Sequence, residues 1–296
     1  MKSCVIFNPA ARGEKARRFR RHLEEIGTQT TLKSTASIGD ARRLAAEAVA
    51  EGFDTIIAAG GDGTLNEVLN GLGDVSDGFE RTRLGVLPLG TVNVFARELN
   101  IPRDVMSAWE VVQRNHETRI DLPFVDFQLE AKEQRRYFAQ LAGAGLDARA
   151  VELVAWNLKK RFGPLAYVWA GLQALLRKAS SIEVNADAHS LKGGLVLIGN
   201  GQLYGGQFRV FPQADLRDGL LDVCVFPRVN WFVLARCGPQ LLLRGNLPAG
   251  VAKVVQARTI KISAAERTPT EVDGELFGQL PATFSLMPSR LRVVIP

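Results

Sequence analysis

The stretch Asp54–Leu72, DTIIAAGGDGTLNEVLNGL, reads as a buried strand, a glycine turn and an amphipathic helix in immediate succession. Thr55–Ala59 is a short apolar run with β-branched members, and Gly60, Gly61 and Gly63 close it with a turn that admits positive φ and close backbone approach. From Thr64 the period becomes helical: Leu65, Val68, Leu69 and Leu72 fall on one face, while Asn66, Glu67 and Asn70 point elsewhere. Free N–H groups and the positive end of a helix dipole then face whatever sits over Gly60–Thr64, an arrangement suited to phosphate. Asp62 inside the turn would repel a bare phosphate, and a bridging Mg²⁺ held by carboxylate and phosphate oxygens resolves the conflict. The spacing is neither G-x-x-x-x-G-K-[ST] nor G-x-G-x-x-G. An ordinary strand-to-helix turn is the plain alternative.

Upstream, Ser3–Asn8 reads as a strand ending in the turn Asn8-Pro9-Ala10-Ala11-Arg12-Gly13, followed by a helix over Arg17–Ile26 and a strand over Thr28–Lys33. Asp40 is placed to cap a helix over Ala41–Glu51 with Leu44, Ala45, Ala48 and Val49 on its apolar face. Downstream come a strand at Leu84–Leu87, a second turn Pro88–Asn93, a helix capped by Asp104 and a strand Glu117–Leu122. Strands and helices alternate with short connections, which predicts a parallel, Rossmann-like α/β sheet with ligands outside the carboxyl ends of its strands.

Near Pro123 the character changes to short β runs: Phe124–Leu129, Tyr137–Ala142, Ile182–Ala186, Leu195–Asn200, Leu221–Phe226, Thr259–Ser263 and Thr283–Leu286. Gly, Pro and Asp separate most of them, which predicts a β-sandwich with inserted helices at Val151–Ala179 and Trp231–Arg244. The expected division is residues 1–123 as the α/β domain with the phosphate-suited turns and 124–289 as the β-sandwich, with a last strand over Arg290–Ile295.

The chain has 296 residues, enough for two domains, and its 46% apolar and 23% charged residues describe a soluble globular protein. A net charge of +6 and a pI near 9.4 favour an anionic partner. Cys4, Cys224 and Cys237 are few and scattered, so neither a disulfide framework nor a zinc site is expected and a reducing compartment fits. No secretion signal is visible, and Phe162–Arg177 is too short to span a bilayer. No recognised nucleic-acid module accompanies the basic charge, so nucleic-acid binding is not expected.

Taken together, Asn8-Pro9, Thr35 with Gly39-Asp40-Ala41, GGDGT with Asn66-Glu67, and Leu87–Asn93 (LPLGTVN) form an ordered set. It continues through Gly143–Ala148, Asn200 with Gly205-Gly206, Pro212–Val223 and Asp273-Gly274-Glu275. This set resembles the diacylglycerol kinase catalytic-domain family, which shares its nucleotide-binding fold with NAD kinases and phosphofructokinases. The resemblance implies that Asn8, Thr35, Gly60, Gly61, Gly63, Thr64 and Thr91 contact nucleotide, and that Asp62 and Asp121 hold a catalytic Mg²⁺ largely through water. It further implies that Glu275 is the base for a lipid hydroxyl, with Asp273 beside it, and that the C-terminal residues 290–296 return to the first domain. By local chemistry alone Asp273-Gly274-Glu275 reads as a hairpin turn. Where many members of the family carry Asp after the GTVN turn, this chain has Val94, either a missing metal-network carboxylate or a residue packed with Phe95 and Leu99.

Two further stretches carry charge of interest. Asp215-Leu216-Arg217-Asp218-Gly219-Leu220 sets carboxylates three apart in a glycine turn, suited either to a hard cation or to bonding its own backbone. The resemblance implies a structural Mg²⁺ there, on the Asp218 carboxylate and the carbonyls of Asp215 and Leu220. Between Leu153 and Ile182 there is no acidic residue, while Lys159, Lys160, Arg161, Arg177 and Lys178 flank an apolar face with Phe162 and Trp169. Residues 158–178 thus read either as an anionic-membrane surface element or as a helix packed on the β-domain.

The expectation is a two-domain lipid kinase using ATP and Mg²⁺, cytoplasmic and peripheral to the membrane that holds its substrate, with diacylglycerol the leading acceptor. A sphingoid base, ceramide or another lipid alcohol is the alternative within that class. A nucleotide-binding regulatory protein with little turnover is the alternative outside it. Oligomeric state is left open, a homodimer included.

Overall fold

The structure is a computed structural model that describes residues 2–9, 14–130, 132–145 and 181–296. The expected helix at Val151–Ala179, the basic 158–178 face, residues 146–148 of the Gly143–Ala148 motif and the Ala10–Gly13 end of the first turn lie outside the described residues. The chain forms two compact units, residues 1–122, 137–139 and 287–296 in one and residues 123–136 and 140–286 in the other.

The first unit contains β1 (Ser3–Phe7), α1 (Glu14–Arg21), α2 (Leu23–Gly27), β2 (Thr31–Ser34), α3 (Asp40–Ala50) and β3 (Thr55–Gly60). They are followed by α4 (Asp62–Gly73), α5 (Gly78–Arg81), β4 (Arg83–Pro88), α6 (Val94–Glu98), α7 (Val105–Arg114) and the start of β5 (Glu117–Leu129). The expected parallel sheet is present in the order β2-β1-β3-β4. Its central strands are buried on both faces, as parallel strands under helices must be. On α4 the predicted face of Leu65, Val68, Leu69 and Leu72 is buried, each side chain contributing about 1.5–3 kcal/mol.

Asn66 and Asn70, which point away from the apolar face of α4, are buried as well: Asn70 clamps the backbone of Tyr137, its Nδ2 donating to the carbonyl and its Oδ1 accepting the N–H, both at 2.9 Å. Two local expectations need correction. Asp40 does not cap α3. Its carboxylate turns back to accept the N–H groups of Ala36 and Ser37, while Glu67 of α4 accepts those of Gly39 and Ala41, each at 3.0 Å. The Arg17–Ile26 helix is two helices broken at His22.

The second unit contains the end of β5, β6 (Lys132–Tyr137, apart from its last residue), β7 (Leu141–Gly145), β8 (Ile182–Ala186), β9 (His189–Gly193) and β10 (Leu195–Gly199). Next are β11 (Leu203–Tyr204), β12 (Phe208–Arg209), β13 (Leu221–Phe226), α8 (Trp231–Arg244), β14 (Lys253–Ala257) and β15 (Thr259–Ala264). It ends with β16 (Pro269–Val272), β17 (Glu275–Gln279) and the first part of β18 (Ala282–Val294). One antiparallel sheet runs β14-β13-β10-β7-β16-β17, and β18, β15, β8 and β9 form the second antiparallel layer. This is the expected β-sandwich, with α8 docked through Val233, Cys237 and Leu241 on a cluster that includes Phe211, Cys224 and Phe226.

The pairs of runs expected on either side of Pro123 and of Met287 are each one continuous strand, β5 and β18. The run expected at Tyr137–Ala142 straddles the gap between β6 and β7. A proline within a strand removes one ladder donor without breaking the extended path. Among the described residues no helix is long and apolar enough to cross a membrane.

Candidate active site

The parallel register sets the site. Phe7 lies level with Ala59, Ala59 with Leu87, and Gly60 with Pro88, so Asn8, Gly61 and Leu89 leave the sheet at one edge. Thr35 joins them there, its N–H donating to the Phe7 carbonyl at 2.9 Å. Ligands in open α/β sheets collect at this edge.

The two glycine turns are locked together. The N–H groups of Leu89 and Gly90 both donate to the Gly60 carbonyl, at 2.9 and 3.1 Å. A Cβ on Gly90 would meet the Gly61 Cα at 2.5 Å, and one on Gly60 would collide with the Thr64 side chain. Only glycine permits this backbone approach. Asn93, buried and left-handed at φ 52°, stitches the second turn by accepting the Gly90 N–H at 3.1 Å and donating to the Gly90 carbonyl at 2.7 Å.

Helix α4 starts at Asp62, and its flanking residue Gly61 supplies no side-chain cap. The first-turn N–H groups are thus a natural anion seat. Asp62 Oδ1 accepts the N–H of Val94 at 2.8 Å, which ties the two turns a second time. The Val94 side chain is buried, 7% exposed, in the manner of the packed alternative.

Cations surround the second turn. Lys15 Nζ donates to the Pro88 carbonyl at 3.4 Å and Arg97 Nε to the Val92 carbonyl at 2.8 Å. Burial pushes Lys15 below the usual lysine range, and the charges of Arg103 and Arg97 push it further. Burial and Arg103 likewise lower Arg97, with Asp62 acting in the opposite sense. Three cations held close enough to repel one another favour a polyanion beside them. Sequence reasoning missed Lys15, Arg97 and Arg103, because they are scattered along the chain and only the fold gathers them; the net positive charge was their one signal.

Asp121 is buried on β5 and accepts the Ser289 N–H at 2.7 Å. Its strand begins at the opposite sheet edge, where Glu117 pairs with Arg83 at 3.4 Å and Arg83 with Asp54 at 3.0 Å.

In the second unit, β16 and β17 meet in a two-residue turn, Asp273 (φ 49°) and Gly274 (φ 83°), with Val272 opposite Glu275. Both central residues are left-handed, the signature of a type I′ hairpin. Asp273 does more than turn: its Oδ1 accepts the N–H groups of Gln140 and Leu141 at 3.0 and 3.2 Å, and its own N–H donates to the Leu141 carbonyl. Buried Glu271 accepts the Gly274 N–H at 2.7 Å. Glu275 is half-exposed and forms an ion pair with Arg136 at 2.5 Å. The turn is therefore a rigid mount that presents Glu275.

At Asp215–Leu220 the local alternative is visible. Asp218 Oδ1 accepts the Leu220 N–H at 2.9 Å, and Asp215 Oδ1 accepts that of Arg217 at 3.0 Å. Gln256 Nε2 bridges Asp218 and Asp222, at 3.4 and 3.1 Å. Among the described residues no group of three or more His, Cys, Asp or Glu gathers as a metal cluster.

Residues 2–125 match the diacylglycerol kinase catalytic domain family, and residues 140–295 match the YegS C-terminal NAD kinase beta sandwich-like domain. Proteins named diacylglycerol kinase from Staphylococcus aureus strains bovine RF122 / ET3-1 and MRSA252 are 34% identical over 305 residues, spanning 99% of this chain and 91% of theirs. A solved structure of a candidate diacylglycerol kinase from Bacillus anthracis str. Sterne superposes with a TM-score of 0.78 at 22% identity, covering 100% of this chain and 97% of that one. That likeness speaks to the fold, and the sequence matches speak to the family. This chain belongs to the diacylglycerol kinase catalytic-domain family of lipid kinases.

Proposed function

We propose that this lipid kinase transfers the γ-phosphoryl group of ATP to a lipid hydroxyl, with diacylglycerol the first acceptor to consider. The observation that carries the reading is the pair of turns fused through Gly61 and Gly90, with the start of α4 and the cations Lys15 and Arg97 beside them. Such a surface suits a polyphosphate. Asn8, Thr35, Gly60, Gly61, Gly63, Thr64 and Thr91 are the proposed nucleotide contacts.

Asp62 and Asp121 are the proposed holders of Mg²⁺. Asp62 fits that part by its chemistry: it is a hard oxygen donor in the turn that opens α4, beside the first-turn N–H groups suited to phosphate. When bound, the metal would neutralise charge on the phosphates. The chain's own part is to hold the nucleotide, orient the acceptor and take a proton. The lipid oxygen forms a bond to the γ-phosphorus as the bond to the β,γ-bridging oxygen breaks, ADP leaves, and the hydroxyl proton passes to the Glu275 carboxylate. Asp273 fixes the turn from which Glu275 projects. We also propose the Asp215–Leu220 turn as a structural cation position, on the Asp218 carboxylate and the carbonyls of Asp215 and Leu220; a second carboxylate, Asp222, lies close enough for Gln256 Nε2 to reach both.

The acceptor resides in a membrane, so the reaction is placed at a bilayer surface, with the enzyme on the cytoplasmic side. Three free, buried thiols accord with a reducing compartment. The test is transfer of labelled γ-phosphate from Mg-ATP to diacylglycerol, a sphingoid base and ceramide in mixed micelles. Phosphorylation of diacylglycerol above the others is expected. Labelling of another lipid would move the acceptor, and no labelling of any lipid would favour a nucleotide-binding regulator.

A further inference from the structure

Helix α8 in the second unit has two apolar faces. The inner one is Val233, Cys237 and Leu241, at steps of four, on the sandwich core. On the opposite side lie Phe232, Ala235, Pro239 and Leu243, at steps of three and four, all exposed. Phe232 is 72% and Leu243 84% exposed, and Trp231 at the start of the helix is 54% exposed. From Phe232 to Leu243 the apolar line runs about 16 Å along the helix. A helix in water normally turns charge, not this stripe, to the solvent.

The surroundings are of one sign. Between Asp222 and Glu266 the chain has no acidic residue, but it has Arg228, Arg236, Arg244, Lys253, Arg258 and Lys261, all exposed. A second copy of this chain would bring the same positive charge to the contact, and so would the basic 158–178 stretch. A surface that is both anionic and apolar beneath complements both features, and an anionic bilayer is such a surface.

We infer that α8 is a membrane-docking helix: Trp231, Phe232 and Leu243 enter the headgroup region of an anionic bilayer while Arg228 and Arg244 meet its phosphates. The site lies on residues other than those of the 158–178 stretch, and it needs no nucleotide or turnover. Its failure and the failure of the kinase reading are therefore separable.

The test is co-sedimentation of the full chain with vesicles of equimolar phosphatidylglycerol and phosphatidylcholine, and with phosphatidylcholine alone, at low and high salt without ATP. Wild type should bind the anionic vesicles, with part of the binding surviving high salt. Phe232→Ser/Leu243→Ser should lose the salt-resistant part, and Arg228→Glu/Arg244→Glu should lower low-salt binding about tenfold or more. Vesicles should shift tryptophan emission to the blue, and Trp231→Phe should diminish that shift. These side chains are exposed, so melting temperatures should stay near wild type; if the serine variant melts early, the arginine pair and Trp231→Phe still decide. Failure of wild type to bind anionic vesicles, or variants that bind as it does, would overturn the inference. So would a wild-type dimer that Phe232→Ser/Leu243→Ser disperses in light scattering.

Discussion

The backbone N–H of Val94 donates to the carboxylate of Asp62 at 2.8 Å, so the residue at which the family resemblance leads to the expectation of an acid is bound to the proposed metal holder through its main chain. Its side chain is buried in the α6 region with Phe95. Val94→Asp should therefore act as a core substitution, costing several kcal/mol for a desolvated charge close to Asp62. A large fall in melting temperature with no change in the Mg²⁺ concentration for half-maximal activity is the expected result. A stable variant that needs less Mg²⁺ would instead restore the metal-network reading.

Asp62→Asn keeps an oxygen to accept the Val94 N–H but removes the charge. The variant should melt near wild type while losing the Mg²⁺-dependent part of its ATP affinity. Calorimetric titration with and without Mg²⁺ checks this, and equal affinities in wild type under both conditions would remove Asp62 from metal binding.

Glu275→Gln should lower kcat by about 10²–10⁴-fold, the usual range for loss of a positioned base, with nucleotide affinity nearly unchanged. Asp273→Asn leaves a turn-compatible residue that can still accept from Gln140 and Leu141, so it should cost far less. Steady-state rates for the pair separate the chemical role of one from the mounting role of the other. Full activity in Glu275→Gln would rule out Glu275 as the base.

With divalent cations removed by a chelator, stability should depend on pH through Asp222. Burial pushes its carboxyl up to about 6, with the Gln256 hydrogen bond opposing the rise and the Asp218 charge adding to it. A folded-state value above the unfolded one means that the folded state binds the proton more tightly. The resulting stabilisation is full below the ordinary value of 3.8 and is lost as pH rises through about 6, a difference of about 3 kcal/mol. Asp222→Asn should melt higher than wild type at pH 7 and flatten this part of the profile. Denaturant midpoints across that window provide the measurement, and parallel curves for the two proteins would contradict the assignment.

Much of this was legible because it is local. The βα unit at Thr55–Leu72 and the alternating strands of the second unit carry their periods within a few residues. The long-range features were not: Asp40 opens α3 and Glu67 lies mid-way along α4, and only the packing of α3 on α4 shows that Glu67, not Asp40, receives the Gly39 and Ala41 N–H groups. The burial of Asn66 and Asn70 has the same origin, since their partner Tyr137 lies far away in sequence. In β5 and β18 the composition changes midway while the extended backbone does not, so each looks in sequence like two runs. At the candidate site, Asp62 and the glycines were readable from their motif. The cations were not, for Lys15, Arg97 and Arg103 share no spacing.

The Glu67 carboxylate has a consequence for binding entropy. One oxygen is committed to Gly39 and the other to Ala41, both at 3.0 Å, so the loop that follows Thr35 is fastened to the helix that begins at Asp62. Those two segments bring Thr35 and the GGDGT turn to one sheet edge, and they are held in register before any ligand arrives. A nucleotide bound at that edge, as proposed above, would find the loops already ordered, and less of its interaction energy would be lost to freezing them.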